Sequence, residues 1–151
     1  MRNRKTREIA NDEQKGQKRN LTYRALIQKY KAALKDCYYL EAITLMESLI
    51  ADRMTSKLVA KGYLSKTDNY ITLGGCIKTS REHSAFSPDL IQELEVWWGK
   101  RNEALHEMAK IANGETESFD EKYLKWKAPS EQGYKLFGLV KKEERKKIDS
   151  E

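Results

Sequence analysis

The sequence predicts an all-α protein, a bundle of four to five helices. Charged residues make up 34% of the 151-residue chain, only two prolines occur, and apolar residues recur at helical spacing in several segments. A chain of this length can bury one hydrophobic core but not two. We therefore expect one helical domain over residues 21–151, preceded by a basic, flexible tail over residues 1–20.

The positive charge of the chain is concentrated in that tail. Residues 1–20 hold seven basic and three acidic side chains, which account for +4 of the net charge of +6. Such a segment either contacts phosphates without reading sequence or serves only as a disordered, solvated leader. No stretch of about 18 apolar residues occurs. We therefore expect no secretory signal, no membrane span and a cytoplasmic location.

The first two helices are predicted over 21–35 and 38–61, with Gly62 ending the second. The second helix is apolar on two sides, because Leu45 and Leu49 stand apart from its main stripe. Such a helix is either buried between neighbouring helices or faces a second subunit. The main stripe consists of Leu40, Ile43, Met46, Ile50, Met54 and Leu58.

The segment from 65 to 84 gives an ambiguous pattern. Residues 70–73 resemble a short strand, but Gly74 and Gly75 interrupt them, and residues 76–82 fit a short helix. Since no second strand is available for pairing, we expect a loop followed by a helix.

The helix predicted over 88–112 has the clearest boundaries. Ser87 is a suitable N-cap, Pro88 fits the first helical position, and Gly114 can close the far end. Arg101 falls near the centre of the apolar stripe of this helix, where a guanidinium is costly unless it is paired. The stripe consists of Leu90, Leu94, Trp97, Leu105, Met108, Ile111 and Ala112.

Two further helices complete the chain. Ser118 and Glu121 have the spacing of a capping box, which opens a helix expected to stop near Pro129. The last helix is predicted over about 131–147.

Few residues of the chain are suited to hold a metal or a cofactor. The two histidines, His83 and His106, are far apart in the sequence, and His83 is expected at the surface. Cys37 and Cys76 lack the spacing of a metal or redox pair, so we expect two buried thiols in a reducing compartment. We predict no metal site and no cofactor.

Arg101, Asn102 and His106 together have the chemistry that RNA cleavage requires. A histidine can exchange protons near neutral pH, a guanidinium can stabilise a charged phosphorus centre, and an asparagine can orient the imidazole or bind the substrate. Glu47 also points towards the core and is the expected partner of Arg101, either to hold the guanidinium for catalysis or simply to neutralise it. The alternative is a structural arginine beside an ordinary surface histidine.

The segment Arg101-Asn102-Glu103-Ala104-Leu105-His106 resembles the signature of the HEPN ribonuclease superfamily. This resemblance implies a helical bundle, a composite active site in a homodimer, and metal-independent endoribonuclease activity in a toxin or an antiviral defence effector. It also implies an RNA substrate and regulation by an antitoxin protein or an RNA inhibitor. Arg101, Asn102 and His106 would be the catalytic residues, with Glu47 in support.

A dimer is also expected because each helix supplies a single histidine to a reaction that needs both an acid and a base. Its interface could use the second apolar side of residues 38–61 or the pair Trp97 and Trp98. The alternative functions are a non-catalytic RNA-binding module and a protein-interaction module that binds through these same apolar surfaces.

Overall fold

The computed structural model describes residues 12–65, 71–108 and 118–146, and within them helix is the only regular secondary structure. Five helices have 11 residues or more, and a sixth has six residues. The predicted all-α class is confirmed. The helices are α1 (Asp12–Lys35), α2 (Tyr39–Ala60), α3 (Leu73–His83), α4 (Pro88–Glu107), α5 (Phe119–Leu124) and α6 (Lys127–Lys146).

Helix α2 lies at the centre of the bundle and packs against α1, α3, α4 and α6. Leu49 on its second apolar side is as completely buried as Met46 on its main stripe. Burial between neighbouring helices, one of the two possibilities left open by the sequence, therefore accounts for Leu49, while Leu45 on the same side is only partly buried. The largest fully buried side chains are Trp97, Phe137, Ile43, Met46, Leu49, Ile50, Met54, Leu58, Leu73, Leu94, Leu136 and Val140.

Two glycines allow the helices to approach closely. A Cβ atom on Gly133 of α6 would lie 2.9 Å from the Trp97 ring on α4 and 3.1 Å from Cβ of Met46 on α2. A Cβ atom on Gly74 of α3 would lie 2.7 Å from Cζ2 of Trp98 on α4. The two indoles of α4 are therefore packed against glycine backbone on opposite neighbours, α6 and α3.

Helix α1 begins inside the segment expected to be a flexible tail. It starts at Asp12, so the boundary predicted at residue 21 is too late, while residues 1–11 lie outside the described part of the chain. Arg19 makes a 2.8 Å ion pair with Asp52 of α2, and the Tyr23 hydroxyl donates to the same carboxylate. The Arg53 guanidinium lies 4.5 Å from the centre of the Tyr23 ring. These contacts dock the polar start of α1 onto α2.

The two tight turns that bound α2 have the same geometry. After α2, Gly62 adopts a positive φ of 78°, and the Tyr63 N–H donates to the Leu58 carbonyl at 2.9 Å. Between α1 and α2, Cys37 adopts a φ of 61°, and the Tyr38 N–H donates to the Ala33 carbonyl at 2.8 Å. Both helices thus end in a Schellman motif, and the predicted role of Gly62 is confirmed.

One of the two cysteines is not where the sequence predicts it. Cys76 is buried as expected, and burial raises the pKa of its thiol. Cys37 is exposed, because it occupies the turn residue between α1 and α2 rather than a helix face directed at the core.

The predicted boundaries of the last three helices have different outcomes. The capping box of Ser118 and Glu121 is confirmed at the start of α5. Pro129 does not stop that helix. It lies in the first turn of α6, where no backbone N–H is needed for an intrahelical bond. Gly114, the expected end of the 88–112 helix, lies outside the described residues.

Replacing Cys37 with glycine is expected to stabilise the protein. A side chain in the left-handed region costs about 1–2 kcal/mol, of which the greater chain freedom of glycine offsets part. We expect Cys37→Gly to raise the free energy of unfolding by about 0.5–1 kcal/mol in urea titrations with reductant present. Cys37→Ala keeps the strained backbone and should change little; equal gains from both variants would contradict the strain argument.

Alkaline pH should destabilise the fold through Tyr30. Its hydroxyl donates to the Ser130 carbonyl at 2.8 Å, and burial raises its pKa to about 12. An unfolded tyrosine ionises near pH 10, so between about pH 10 and 12 the folded state binds more protons than the unfolded state. The free energy of unfolding should therefore fall as pH rises through this range, with Tyr30 contributing about 1–2 kcal/mol to the loss.

This effect is measured by urea titrations of the parent and Tyr30→Phe at several pH values. At pH 7 the variant should lose only the hydrogen bond, worth about 1 kcal/mol. Between about pH 10 and 12 its stability should decline less steeply than that of the parent. Parallel declines would show that Tyr30 does not resist ionisation in the folded state.

Candidate functional site

The candidate site lies on α4, which the local sequence defines well. The Ser87 hydroxyl accepts from the Leu90 N–H at 3.4 Å, and Pro88 occupies the first turn. Ser87 is itself held by α6, since its backbone N–H and hydroxyl donate to the Glu143 carboxylate at 2.7 and 2.8 Å. The start of α4 is therefore fixed by one cap within the helix and one contact across the bundle.

Further along α4, contacts with α6 and with the residue just before α6 hold the helix in place. The Trp97 indole N–H donates to the Pro129 carbonyl at 2.8 Å, and the ring is fully buried. The Trp126 indole N–H approaches the Met108 sulfur at 3.0 Å, just beyond the end of α4. Ala104, on the same side as Trp97, is only 1% exposed. These contacts set the rotation of α4 and hence the direction of Arg101.

Arg101 is half-buried between α4 and α2. Its Nε–H donates to Oε2 of Glu47 at 2.5 Å, and its Nη1 donates to the Asn102 carboxamide oxygen at 3.0 Å. The side chains of Arg101 and Glu47 are 25% and 15% exposed. The guanidinium is therefore oriented on two of its edges, and in the described residues no acceptor is bonded to its Nη2 group.

Asn102 and His106 take different environments. Asn102 is half-buried and its Oδ1 accepts from Arg101 rather than from the imidazole one turn later. His106 is exposed, and in the described part of the chain no hydrogen bond orients its ring. The structure therefore brings Arg101, Asn102 and Glu47 into contact, while His106 stands at the exposed side of the same helix.

The apolar stripe predicted for α4 is only partly correct. Leu90, Leu94 and Trp97 are buried, but Leu105 is 46% exposed. Leu105 lies about 100° around the helix from the buried Ala104, on a side that no neighbouring helix covers fully. Ile111 and Ala112, also assigned to the stripe, lie outside the described residues. An exposed leucine therefore adjoins His106.

His83 was expected at the surface, and Trp97 and Trp98 were expected at an interface. His83 is exposed, as predicted, and its ring stacks on Tyr63 with centroids 4.2 Å apart. Trp97, expected as an interface residue, is fully buried inside the protomer. Trp98 is half-buried against Gly74. Of the apolar residues expected to form a dimer or a protein-binding face, Trp97 and Leu49 are thus used within one chain, whereas Trp98 and Leu45 remain partly exposed.

A groove between α3 and α4 was not predicted from the sequence. It encloses a volume of about 420 Å³ and is lined by Gly74, Ile77, Lys78, Arg81, Glu82, Glu95 and Trp98. Arg81 and Glu95 form a 2.5 Å ion pair at this groove, which lowers the pKa of the Glu95 carboxyl. The signal that could have found it is Gly74, since a helix that starts with glycine can approach a large ring closely.

Neither a metal site nor a membrane span is found in the described residues. No group of three or more His, Cys, Asp or Glu side chains within them is arranged to hold a metal ion. None of their helices is both long enough and apolar enough to cross a bilayer. Comparisons with protein-family models, characterised proteins and solved structures find no match to this chain.

The strength of the Glu47–Arg101 pair can be measured by a double-mutant cycle. The cycle compares the free energies of unfolding in urea of the parent, Glu47→Ala, Arg101→Ala and the double variant. Because both charges are half-buried and joined by a charge-assisted hydrogen bond, we expect a coupling of about 1–2 kcal/mol.

The exposed pair of Arg81 and Glu95 provides the matched control, with side chains that are 52% and 44% exposed. Solvent and salt screen exposed pairs, so its coupling should be smaller. Equal couplings in the two cycles would mean that the Glu47–Arg101 pair does not fix the position of Arg101.

Proposed function

We propose that this protein is a metal-independent endoribonuclease of the HEPN type. Arg101 would bind the scissile phosphate, His106 would exchange protons, Asn102 would position the guanidinium, and Glu47 would support it. The single observation that carries this proposal is the half-buried Arg101, held by Glu47 and Asn102 on two edges while its Nη2 group has no acceptor among the described residues. A phosphate oxygen is a suitable acceptor for that group.

The reaction would be an internal transfer within RNA. The ribose 2′ oxygen attacks the adjacent phosphorus, its proton passes to a base, and the 5′ oxygen leaves with a proton from an acid. The products are a 2′,3′-cyclic phosphate and a 5′ hydroxyl. Arg101 would stabilise the charge that develops on the phosphorus oxygens.

A second copy of the chain would supply the second histidine. Each α4 carries one imidazole, so a two-fold dimer that brings two α4 helices together would provide both acid and base. Because Leu49 and Trp97 are fully buried within the protomer, the contact would use the exposed end of α4. Leu105, 46% exposed beside His106, supports this position for the interface.

The biological setting follows from the family resemblance alone. The protein would act in the cytoplasm as a growth-arrest toxin or an antiviral effector. Its activity would then be restrained by an antitoxin protein or an RNA inhibitor.

A non-catalytic RNA-binding function is the second candidate. It is favoured by the environment of His106, whose exposed ring has no orienting hydrogen bond in the described residues. In that case Arg101 would still contact phosphate, but no proton would be transferred. The protein-interaction alternative would use the partly exposed Trp98 and Leu45, because Trp97 and Leu49 are fully buried.

The decisive test is cleavage of single-stranded RNA by the purified protein in EDTA. We expect products that end in a cyclic phosphate, resolved by gel electrophoresis and mass spectrometry. His106→Ala should lower kcat at least ~10²-fold, the low end for loss of an acid–base group. Arg101→Ala should lower it as well, because the developing charge loses its partner.

His83→Ala is the matched control, since His83 is the other histidine and lies exposed at the end of α3. It should cleave at the parental rate. If His106→Ala also cleaves at the parental rate, His106 has no role in the chemistry. If the parent binds RNA without cutting it, the second candidate is correct.

A further inference from the structure

The groove between α3 and α4 has the composition of a small-ligand site. Its volume of about 420 Å³ is within the range of protein pockets that hold small molecules, roughly 300–1,000 Å³. One wall contains the Trp98 indole, and the rim carries two cationic and two acidic side chains. The charged side chains are Lys78, Arg81, Glu82 and Glu95.

The Trp98 indole N–H differs from those of the other two tryptophans. The indole N–H of Trp97 donates to Pro129, and that of Trp126 donates to the Met108 sulfur. Among the described residues, no acceptor is bonded to the Trp98 N–H. This N–H is not among the buried polar atoms that lack a partner, so it is open to solvent and a ligand can reach it together with the ring.

The charges of the groove fit an uncharged planar ligand better than a phosphate. The two cations and two carboxylates cancel, and Arg81 is already paired with Glu95. A nucleobase has a ring face that stacks on an aromatic side chain and polar edges that exchange hydrogen bonds with such groups. The groove therefore matches the chemistry of a base and not that of the sugar–phosphate backbone.

The groove also adjoins the candidate site along α4. Trp98 precedes Arg101 by three residues and Asn102 by four, and such residues are neighbours on one helix surface. The distance along the helix axis is about 4.5–6 Å at 1.5 Å per residue. A nucleotide whose phosphate contacts Arg101 therefore has a neighbouring base within reach of the groove.

We propose that this groove is a subsite for one unstacked nucleobase of the RNA bound at Arg101, with Trp98 as its stacking platform. The assignment rests on the proposed function for the identity of the ligand. Gly74 contributes to this subsite, because its missing side chain allows the Trp98 ring to lie against α3.

The test uses the full chain carrying His106→Ala, so that RNA is bound without being cut, and a short single-stranded oligoribonucleotide as the probe. Trp97 and Trp126 are buried, so a change in tryptophan emission on binding should report Trp98. Adding Trp98→Leu should abolish that change and weaken binding by about 5- to 150-fold, the range for loss of one base–aromatic stack.

Two further variants separate stacking from structure. Trp98→Phe retains an aromatic face and should bind much closer to the parent than Trp98→Leu does. Gly74→Ala places a methyl group 2.7 Å from Cζ2 of Trp98, so it must displace the ring and should weaken binding while Trp98 itself is retained. This second variant keeps the test informative if Trp98→Leu does not fold, as judged by its thermal transition.

The outcomes distinguish this subsite from the nuclease proposal. If the parent cleaves RNA while the added Trp98→Leu and Gly74→Ala leave RNA binding equal to that of His106→Ala alone, the subsite is overturned and the nuclease stands. If the parent binds RNA in a Trp98-dependent manner but never cleaves it, the nuclease fails and the subsite stands. Equal weakening by Trp98→Phe and Trp98→Leu would also overturn the stacking role.

Discussion

The ion pair between Glu47 and Arg101 connects the candidate site to the core of the bundle. Glu47 belongs to α2, the helix that packs against four others, so its carboxylate is fixed by the same contacts that bury the core. Two half-buried charges would each be costly alone, and pairing removes most of that cost. Arg101 therefore takes its position from the central helix, and α4 carries it at a fixed rotation. Any chemistry at Arg101 depends on this arrangement.

The sequence predicted those parts of the fold that rest on local signals. Gly62 ends α2, Ser87 begins α4, and Ser118 with Glu121 begins α5, because each feature is encoded within a few residues. The start of α1 was missed because its first turns carry no apolar stripe. They are docked instead by Arg19 and other polar contacts to α2, which are distant in sequence. The polar contacts of Arg19 with α2 could not be predicted from local sequence, because Asp52 lies 33 residues further along the chain.

The sequence predicted the charged pair of the candidate site but not the exposure of the residues around it. Glu47 and Arg101 could be placed from two helical wheels, because both point inwards at positions where only a charged partner is suitable. The exposure of Leu105 could not, since a wheel shows which residues share a face but not how far a neighbouring helix covers that face. The separation of Trp97 from Trp98 likewise depends on two glycines of other helices, Gly133 and Gly74. For the same reason the groove at Trp98 had no signal within α4 itself.

Under the proposed function, the arrangement of α4 would restrict the form of RNA that it contacts. Trp98 and His106 are eight residues apart, about 12 Å along the helix axis, and Arg101 lies between them. A ligand that reaches all three must be longer than a single nucleotide and must present a base to Trp98 while its phosphate meets Arg101. In duplex RNA the bases are stacked within the helix and are not free to leave it without cost. An RNA substrate of the proposed nuclease would therefore be a single-stranded or looped segment, in which a base can turn towards the indole while the backbone remains extended along α4.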